Sequence, residues 1–374
     1  MFPRIEYVEW ILPRVEAATH DLGSSDLRSG TDERDRVVPP RLADLPTPET
    51  GLRTLLAEAY GVDRERVLVT AGASAANLLA TAVALGESTS QATDGAGGRA
   101  GGTPTGRVLV EKPGYEPHVA TPRGLGATVD RFRRGEAWAL EPARVRGAAM
   151  EETCLVLASN RHNPSGVRVD RGTLREAAEA AATVDARLLV DEVYAPYGAE
   201  IGDAADVFGG PTATGLPNAV VTGSLTKFWG LGSLRVGWLV ADPAFVARAR
   251  EVALHLPAVA GPSRALARRV LANREPLAAA ARERCLENHD LLRSFVEGRP
   301  ELEGPVPEGC PYAFLVHDSA DGDAVAAAAR EEGVLVVPGR FFGASEGIRV
   351  SLGLPPERAE AALAAFGDAL DGLE

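Results

Sequence analysis

Of the 39 basic residues in this 374-residue sequence only Lys112 and Lys227 are lysine; the rest are arginine. Arginine keeps its proton in water, whereas a lysine amine can lose it and become a nucleophile. Lys227 closes the run Ser224-Leu225-Thr226-Lys227 and is followed eight residues on by Arg235. Small hydroxyls and an arginine beside an amine can hold a phosphate, the arginine through its bidentate fork. Asp191 ends the apolar run LLVD, with Tyr194 three residues later. A carboxylate there can ligate a metal, cap a helix or pair with a cationic heterocycle. Asn163 lies in NRHNPSG, where Pro and Gly punctuate a turn and leave its amide free to donate. LVTAGASAANLLA reads as strand, Gly-rich turn and helix, so the Ala73 amide and the Ser74 hydroxyl face an anion at a helix N-terminus. Tyr115, in EKPGYEPH, adds an aromatic ring.

These groups act together only if the elements carrying them share an edge. Apolar β-rich runs alternate with Ala-rich helical patterns from about residue 50 to 255. The pattern predicts strands at Arg66–Thr70, Arg107–Glu111, Cys154–Ala158, Leu188–Val190, Val220–Thr222 and Val236–Val240, with helices including Ala75–Leu85, Thr173–Ala182 and Pro243–Leu256. Such alternation argues for an α/β domain with a largely parallel sheet, which places ligands at the C-terminal ends of its strands. The last third reads as α+β: long helices over Ser263–Val296, strands near Tyr312–Val316, Val334–Val337 and Ile348–Leu352, and a closing helix Pro356–Leu370. We expect a large domain over residues 40–255 and a small one combining 1–39 with 256–374. Residues 86–106 (GESTSQATDGAGGRAGGTPTG) have no apolar period and read as a flexible surface insertion.

Composition narrows the class. With 45% hydrophobic and 24% charged residues the chain has ample material for a core. The net charge of −13 disfavours nucleic acid. No apolar run reaches the ~20 residues of a membrane span, and the first residues do not resemble a signal peptide, so a cytoplasmic protein is expected. Cys154, Cys285 and Cys310 have no metal-site spacing, and no metal is expected. No GxGxxG follows the first strand, which argues against a dinucleotide enzyme.

Taken in order, the anion cradle, Tyr115, Asn163, Asp191, Lys227 and Arg235 resemble the fold-type I pyridoxal-phosphate enzymes, and among them the class I/II aminotransferases. The resemblance runs from HDLGSSDL near the start to GIRVSLG near the end. NRHNPSG, DEVY and SLTK follow one another at separations of 28 and 36 residues (163 to 191, 191 to 227). It implies that Lys227 forms a Schiff base with pyridoxal 5'-phosphate and then moves the substrate Cα proton. Asp191 would pair with the pyridine nitrogen, Tyr194 and Asn163 would donate to the ring hydroxyl oxygen, and Tyr115 would stack on the ring. Ala73, Ser74, Ser224 and Arg235 would hold the phosphate. Arg349 matches the family's arginine for the substrate α-carboxylate, and Gly23 lies where the family brings backbone near the substrate. His118 is a candidate partner behind Asp191, while Lys112 reads as a solvated side chain. Arg28 and Arg161 are candidate cations for a distal carboxylate. The resemblance also implies a homodimer acting on an amino acid and a 2-oxo acid.

There are departures from the family pattern. Arg161 replaces the usual proline, Ser233 replaces a small Gly or Asn, and the tyrosine that crosses the family's dimer to the phosphate is absent near Pro46. The leading expectation is an aminotransferase. A lyase of the same fold, such as a carbon–sulfur β-lyase, needs the same groups, and cyclase or decarboxylase chemistry stays open. A non-catalytic cofactor-binding regulator is the remaining alternative; it would need a DNA-binding module, which the acidic balance disfavours.

Overall fold

The computed structural model describes residues 2–28, 38–95, 106–198, 206–208 and 210–373. Among these, seven strands form the central sheet: β1 (Val67–Thr70), β2 (Arg107–Lys112), β3 (Thr128–Arg133), β4 (Thr153–Ser159), β5 (Arg187–Asp191), β6 (Ala219–Ser224) and β7 (Gly237–Val240). Their spatial order is β1-β7-β6-β5-β4-β2-β3. Neighbours run parallel except at β7, which is antiparallel to both β1 and β6. The α/β class and mostly parallel sheet expected from the sequence are therefore present. β3 was not foreseen, because TVDRFR lacks an apolar pattern; it is an edge strand and needs only one pairing partner.

Both faces of the sheet are buried, and successive residues alternate between them. Leu109, Val156, Leu188, Val190 and Val221 pack on one side. Val108, Val110, Leu155, Leu157, Leu189 and Val220 pack on the other. On that second face lies helix α2 (Ala73–Gly95), which follows α1 (Glu6–Ala17) among the helices labelled here. α2 presents Ala76, Ala80, Val83 and Ala84 at one-turn spacing to the sheet. It does not stop at Leu85 but continues to Gly95, through the first part of the expected insertion. That stretch holds no proline, although it opens with Gly86, and Glu87 is tied by Arg187 at 3.1 Å. Residues 96–105 of the insertion lie outside the described residues.

A second, antiparallel sheet is built from Leu302–Glu303, Tyr312–His317, Gly347–Ser351 and Val337–Pro338, in that spatial order. Its strand Gly347–Ser351 pairs Arg349 with Phe314 and Val337. Residues 20–28 stitch the two sheets together. His20–Asp21 pairs with Val334–Leu335, Leu22 accepts from the Ser351 N–H, and the Leu27 N–H donates to the Lys227 carbonyl at 3.0 Å.

The C-terminal ends of β2 and β4 are locked by a buried ion pair. Glu111 and Arg134 are both fully enclosed, 2.8 Å apart. Burial favours protonation of Glu111, but the Arg134 cation overcomes it and holds the carboxyl below its usual range. Glu111 also accepts from the Ser159 N–H at 2.9 Å. Removing one partner strands the other charge, so Glu111→Ala should cost about 3–5 kcal/mol. Urea unfolding checks this; a midpoint within error of wild type would show that the pair does not lock the strand ends.

Candidate active site

Five strand C-termini and the start of β7 meet at one edge of the central sheet. Because β7 runs backwards, its first residue, Gly237, pairs with the last residues of both neighbours, Thr70 and Ser224. Arg235, two residues earlier, thus reaches the edge that holds Lys227. A Cβ on Gly237 would lie 2.4 Å from the Gly72 carbonyl carbon and 2.7 Å from the Ala73 nitrogen. Only glycine lets the turn before α2 settle against the strand. Gly72 itself has φ +83°, and its missing Cβ leaves room for the Arg235 guanidinium, 3.0 Å from where that atom would stand.

A cavity of about 150 Å³ opens at this edge. Ala73, Ser74, Tyr115, Asn163, Asp191, Tyr194, Ser224, Lys227, Arg235 and Arg349 all line it. Gly23 does not, but its carbonyl accepts from Arg349 Nη2 at 2.7 Å. Lys112 is absent from the walls of this cavity and of the larger one beside it. Arg161 is buried elsewhere, donating to the carbonyls of Tyr197 and Gly166. Arg28 lines the adjoining cavity of about 570 Å³ but is paired with Asp21 and Asp26. Neither arginine is an uncompensated cation in the site.

Asp191 is the most elaborately held group. His118 Nε2 lies 3.1 Å from Oδ2, Asn77 Nδ2 donates to the same oxygen at 2.8 Å, and the Val193 N–H donates to Oδ1 at 3.2 Å. Thr222, beside Asp191 on β6, donates to Asn77 Oδ1 at 2.7 Å and so orients its amide. Burial pushes the Asp191 carboxyl up, but His118, Asn77 and the Val193 amide outweigh it and hold it below the usual carboxylate range. Across the cavity, the Lys227 nitrogen sits 5.8 Å from the Tyr194 ring centre. Burial disfavours a charge there, yet Tyr194, Asp26 and Tyr7 raise the amine above its ordinary value.

Two arginines of the cavity have no carboxylate partner among the described residues. Arg235 lies over the Gly72 turn at the N-terminal end of α2. Arg349 is 1% exposed and spends its donors on Asn163 Oδ1 (2.9 Å), Gly23 and Tyr7 Oη (3.2 Å), with Nε unpartnered. A cation without an acid partner, Arg349 in the interior and Arg235 at the exposed rim, is a seat for an anion.

Sequence reasoning missed Asn77, Tyr7 and Ser25. Asn77 carried a usable signal, since it lies one helical turn from Ser74 and shares its face. Tyr7 carried none, and Ser25 only its place two residues after Gly23 in HDLGSSDL. Ser25 Oγ meets Tyr194 Oη at 2.6 Å across 169 residues of chain, and Tyr7 meets Arg349 across 342.

The family model for aminotransferase class I and II matches residues 41–366. The chain belongs to that family. An aromatic amino acid aminotransferase of Rhodococcus jostii is 30% identical over 213 residues, 56% of this chain and 54% of that protein, so the match spans about half of the relative's length. A PLP-dependent aminotransferase from Streptococcus suis has a structure with TM-score 0.81 at 22% identity, covering 100% of this chain and 99% of that one. A PLP-dependent cyclase, OrfR, superposes with TM-score 0.78 at 26% identity, covering 100% and 98%.

The family implies pyridoxal phosphate, and this aminotransferase-family site has the donors for it. The acid-free Arg235 beside the open N–H groups of α2 suits a phosphate dianion. The ionised Asp191 suits a protonated ring nitrogen, and the Asn163 Nδ2 donors are unspent among the described residues.

Glu192, next in chain to Asp191, is buried and accepts from Thr212 Oγ1 (3.1 Å) and the Ala213 N–H (2.7 Å). Burial, reinforced by the Asp191 charge and only partly offset by these donors and Arg171, pushes its carboxyl up to about 8. A raised carboxyl stabilises the fold in full below its ordinary value of 4.5, and that contribution is lost as pH rises through about 8. Thermal melts should decline across this window, and Glu192→Gln should flatten the decline. An unchanged pH slope in that variant would contradict the assignment.

Proposed function

We propose that the protein is a pyridoxal-phosphate-dependent aminotransferase that moves the amino group of an L-amino acid to a 2-oxo acid. The observation that carries this reading is the shared cavity: an amine and an ionised, buried carboxylate stand there with two arginines that lack acids. Pyridoxal phosphate, when bound, supplies an aldehyde for amine exchange and a ring that accepts the electron pair left when a Cα–H bond breaks. Arg235, Ser224, Ser74 and the Ala73 amide would hold its phosphate. Asp191 would keep the ring nitrogen protonated, with His118, Asn77 and Thr222 keeping Asp191 ionised and aimed. Tyr194 and Asn163 would donate to the ring hydroxyl oxygen, and Tyr115 would cover the ring face. Arg349 takes the α-carboxylate and so turns the Cα–H bond towards Lys227, whose Nζ removes that proton and later returns it.

We also propose a homodimer closing over the Arg235 rim, which is exposed in the single chain. The three cysteines are unpaired, in keeping with a reducing compartment such as the cytoplasm. Among the described residues no helix is long and apolar enough to cross a membrane.

The likeness to the cyclase at 26% identity across the whole chain favours one second reading: cyclisation of an amino acid after the same Cα deprotonation. A half-reaction separates the two. Cofactor-loaded protein is mixed with single L-amino acids and no oxo acid, and the visible cofactor band is followed. Stable conversion to the pyridoxamine form is expected for amino transfer; a band that returns while the amino acid is consumed overturns it in favour of cyclisation or elimination.

Lys227→Ala should lose both the visible lysine–cofactor band and turnover, and full activity in this variant would refute the assignment. Asp191→Asn should still bind cofactor but remove the Cα proton roughly 10²–10⁴-fold more slowly, as expected for a lost electrostatic partner. Deuterium exchange at Cα measures that step directly.

A further inference from the structure

Tyr7 belongs to α1 and to none of the sequence motifs, yet it lines both the site cavity and the larger one beside it. Its position is fixed from several sides. The Glu116 carboxylate accepts from the Tyr7 N–H at 2.6 Å and from the Glu6 N–H at 3.1 Å, capping the start of α1. The Tyr7 ring stands edge-on to Tyr115 at 5.8 Å and 80°, and edge-on to Phe341 at 5.7 Å. Its hydroxyl oxygen accepts from Arg349 Nη2 at 3.2 Å. A phenol has one proton to donate besides the lone pair it uses here. No acceptor for that proton occurs among the described residues.

We propose that Tyr7 is the second half of the carboxylate seat: its hydroxyl accepts from Arg349 and donates its own proton to the substrate α-carboxylate. That the anion is an amino-acid carboxylate rests on the function proposed above; the seat itself rests on the geometry. Its ligand class is a carboxylate. Arg349, buried and without an acid, supplies the charge, and Tyr7 supplies direction. Tyr7 also lines the adjoining cavity, together with Val8, Ile11 and Leu12. A neutral donor to a charged acceptor is among the stronger hydrogen bonds, so its loss is measurable in binding alone.

The test is calorimetric titration of the cofactor-loaded protein with hydrocinnamate, an unreactive acid, and with hydrocinnamide, its uncharged counterpart. Wild type should prefer the acid. Tyr7→Phe keeps the ring and its packing; it should weaken hydrocinnamate about tenfold or more and leave hydrocinnamide within about twofold. Equal losses for both compounds would make Tyr7 merely structural and overturn the proposal. So would no loss for either, or a wild type without preference for the acid. Because the readout is binding, the expected pattern in a protein that fails the half-reaction would sink the aminotransferase reading and keep the seat.

Discussion

Burying the Asp191 carboxylate at the end of β5 would cost several kcal/mol if it stood alone, and the site is arranged around preventing that. Its oxygens are met by Asn77 from α2, His118 from the helix Pro117–Gly124 and the backbone of Val193. Thr222 on β6 in turn fixes the Asn77 amide. Four elements are thereby held in register at one point on the sheet edge. A carboxylate kept anionic inside a protein is also an unspent attraction for a cation, and here it opens into a cavity.

The same logic applies with opposite sign to Arg235 and Arg349. Each is a cation without an acid partner among the described residues, Arg349 within the interior and Arg235 at the rim. Burying Arg349 without an acid costs stability that an arriving anion would offset, whereas Arg235 stands in solvent and carries no such burial cost. The buried Glu111–Arg134 pair offers the contrast: there the charges satisfy each other, and the pair serves as a fastener between β2 and β4.

Residues 7 to 28 connect the two sheets chemically as well as mechanically. Tyr7 and the Gly23 carbonyl hold Arg349 from the antiparallel sheet, while Ser25 reaches Tyr194 in the turn that follows β5 of the parallel one. Leu27 bonds to the backbone of Lys227 itself. A shift of this segment would therefore be felt at once by Arg349, Tyr194 and Lys227.

Much of this was legible in the chain. The alternation of apolar strands with Ala-rich helices fixed the α/β class, because period-2 and period-3.6 burial are local properties. Lys227, Asp191 and Asn163 could be singled out because strand-end residues in a parallel sheet converge on one edge whatever the details of packing. Local signals failed where partners are remote or geometry is collective. Nothing near Tyr7 marks it, and the segment HDLGSSDL drew notice for Gly23 but not for Ser25, since contacts across 342 and 169 residues depend on how the N-terminal segment docks. The extension of α2 to Gly95 was hidden by a composition that suits both loop and helix. Arg28 and Arg161 looked equivalent to any other free cation until Asp21, Asp26 and two backbone carbonyls were found beside them. The reversal of β7 is the plainest case. The sequence by itself determined that an arginine follows the lysine by eight residues and precedes an apolar strand; only the antiparallel pairing of that strand between β1 and β6 decided that its start, and Arg235 with it, lies at the edge where the other strands end. Strand direction is set by which neighbours complete its hydrogen-bond ladder, and that is a property of the assembled sheet.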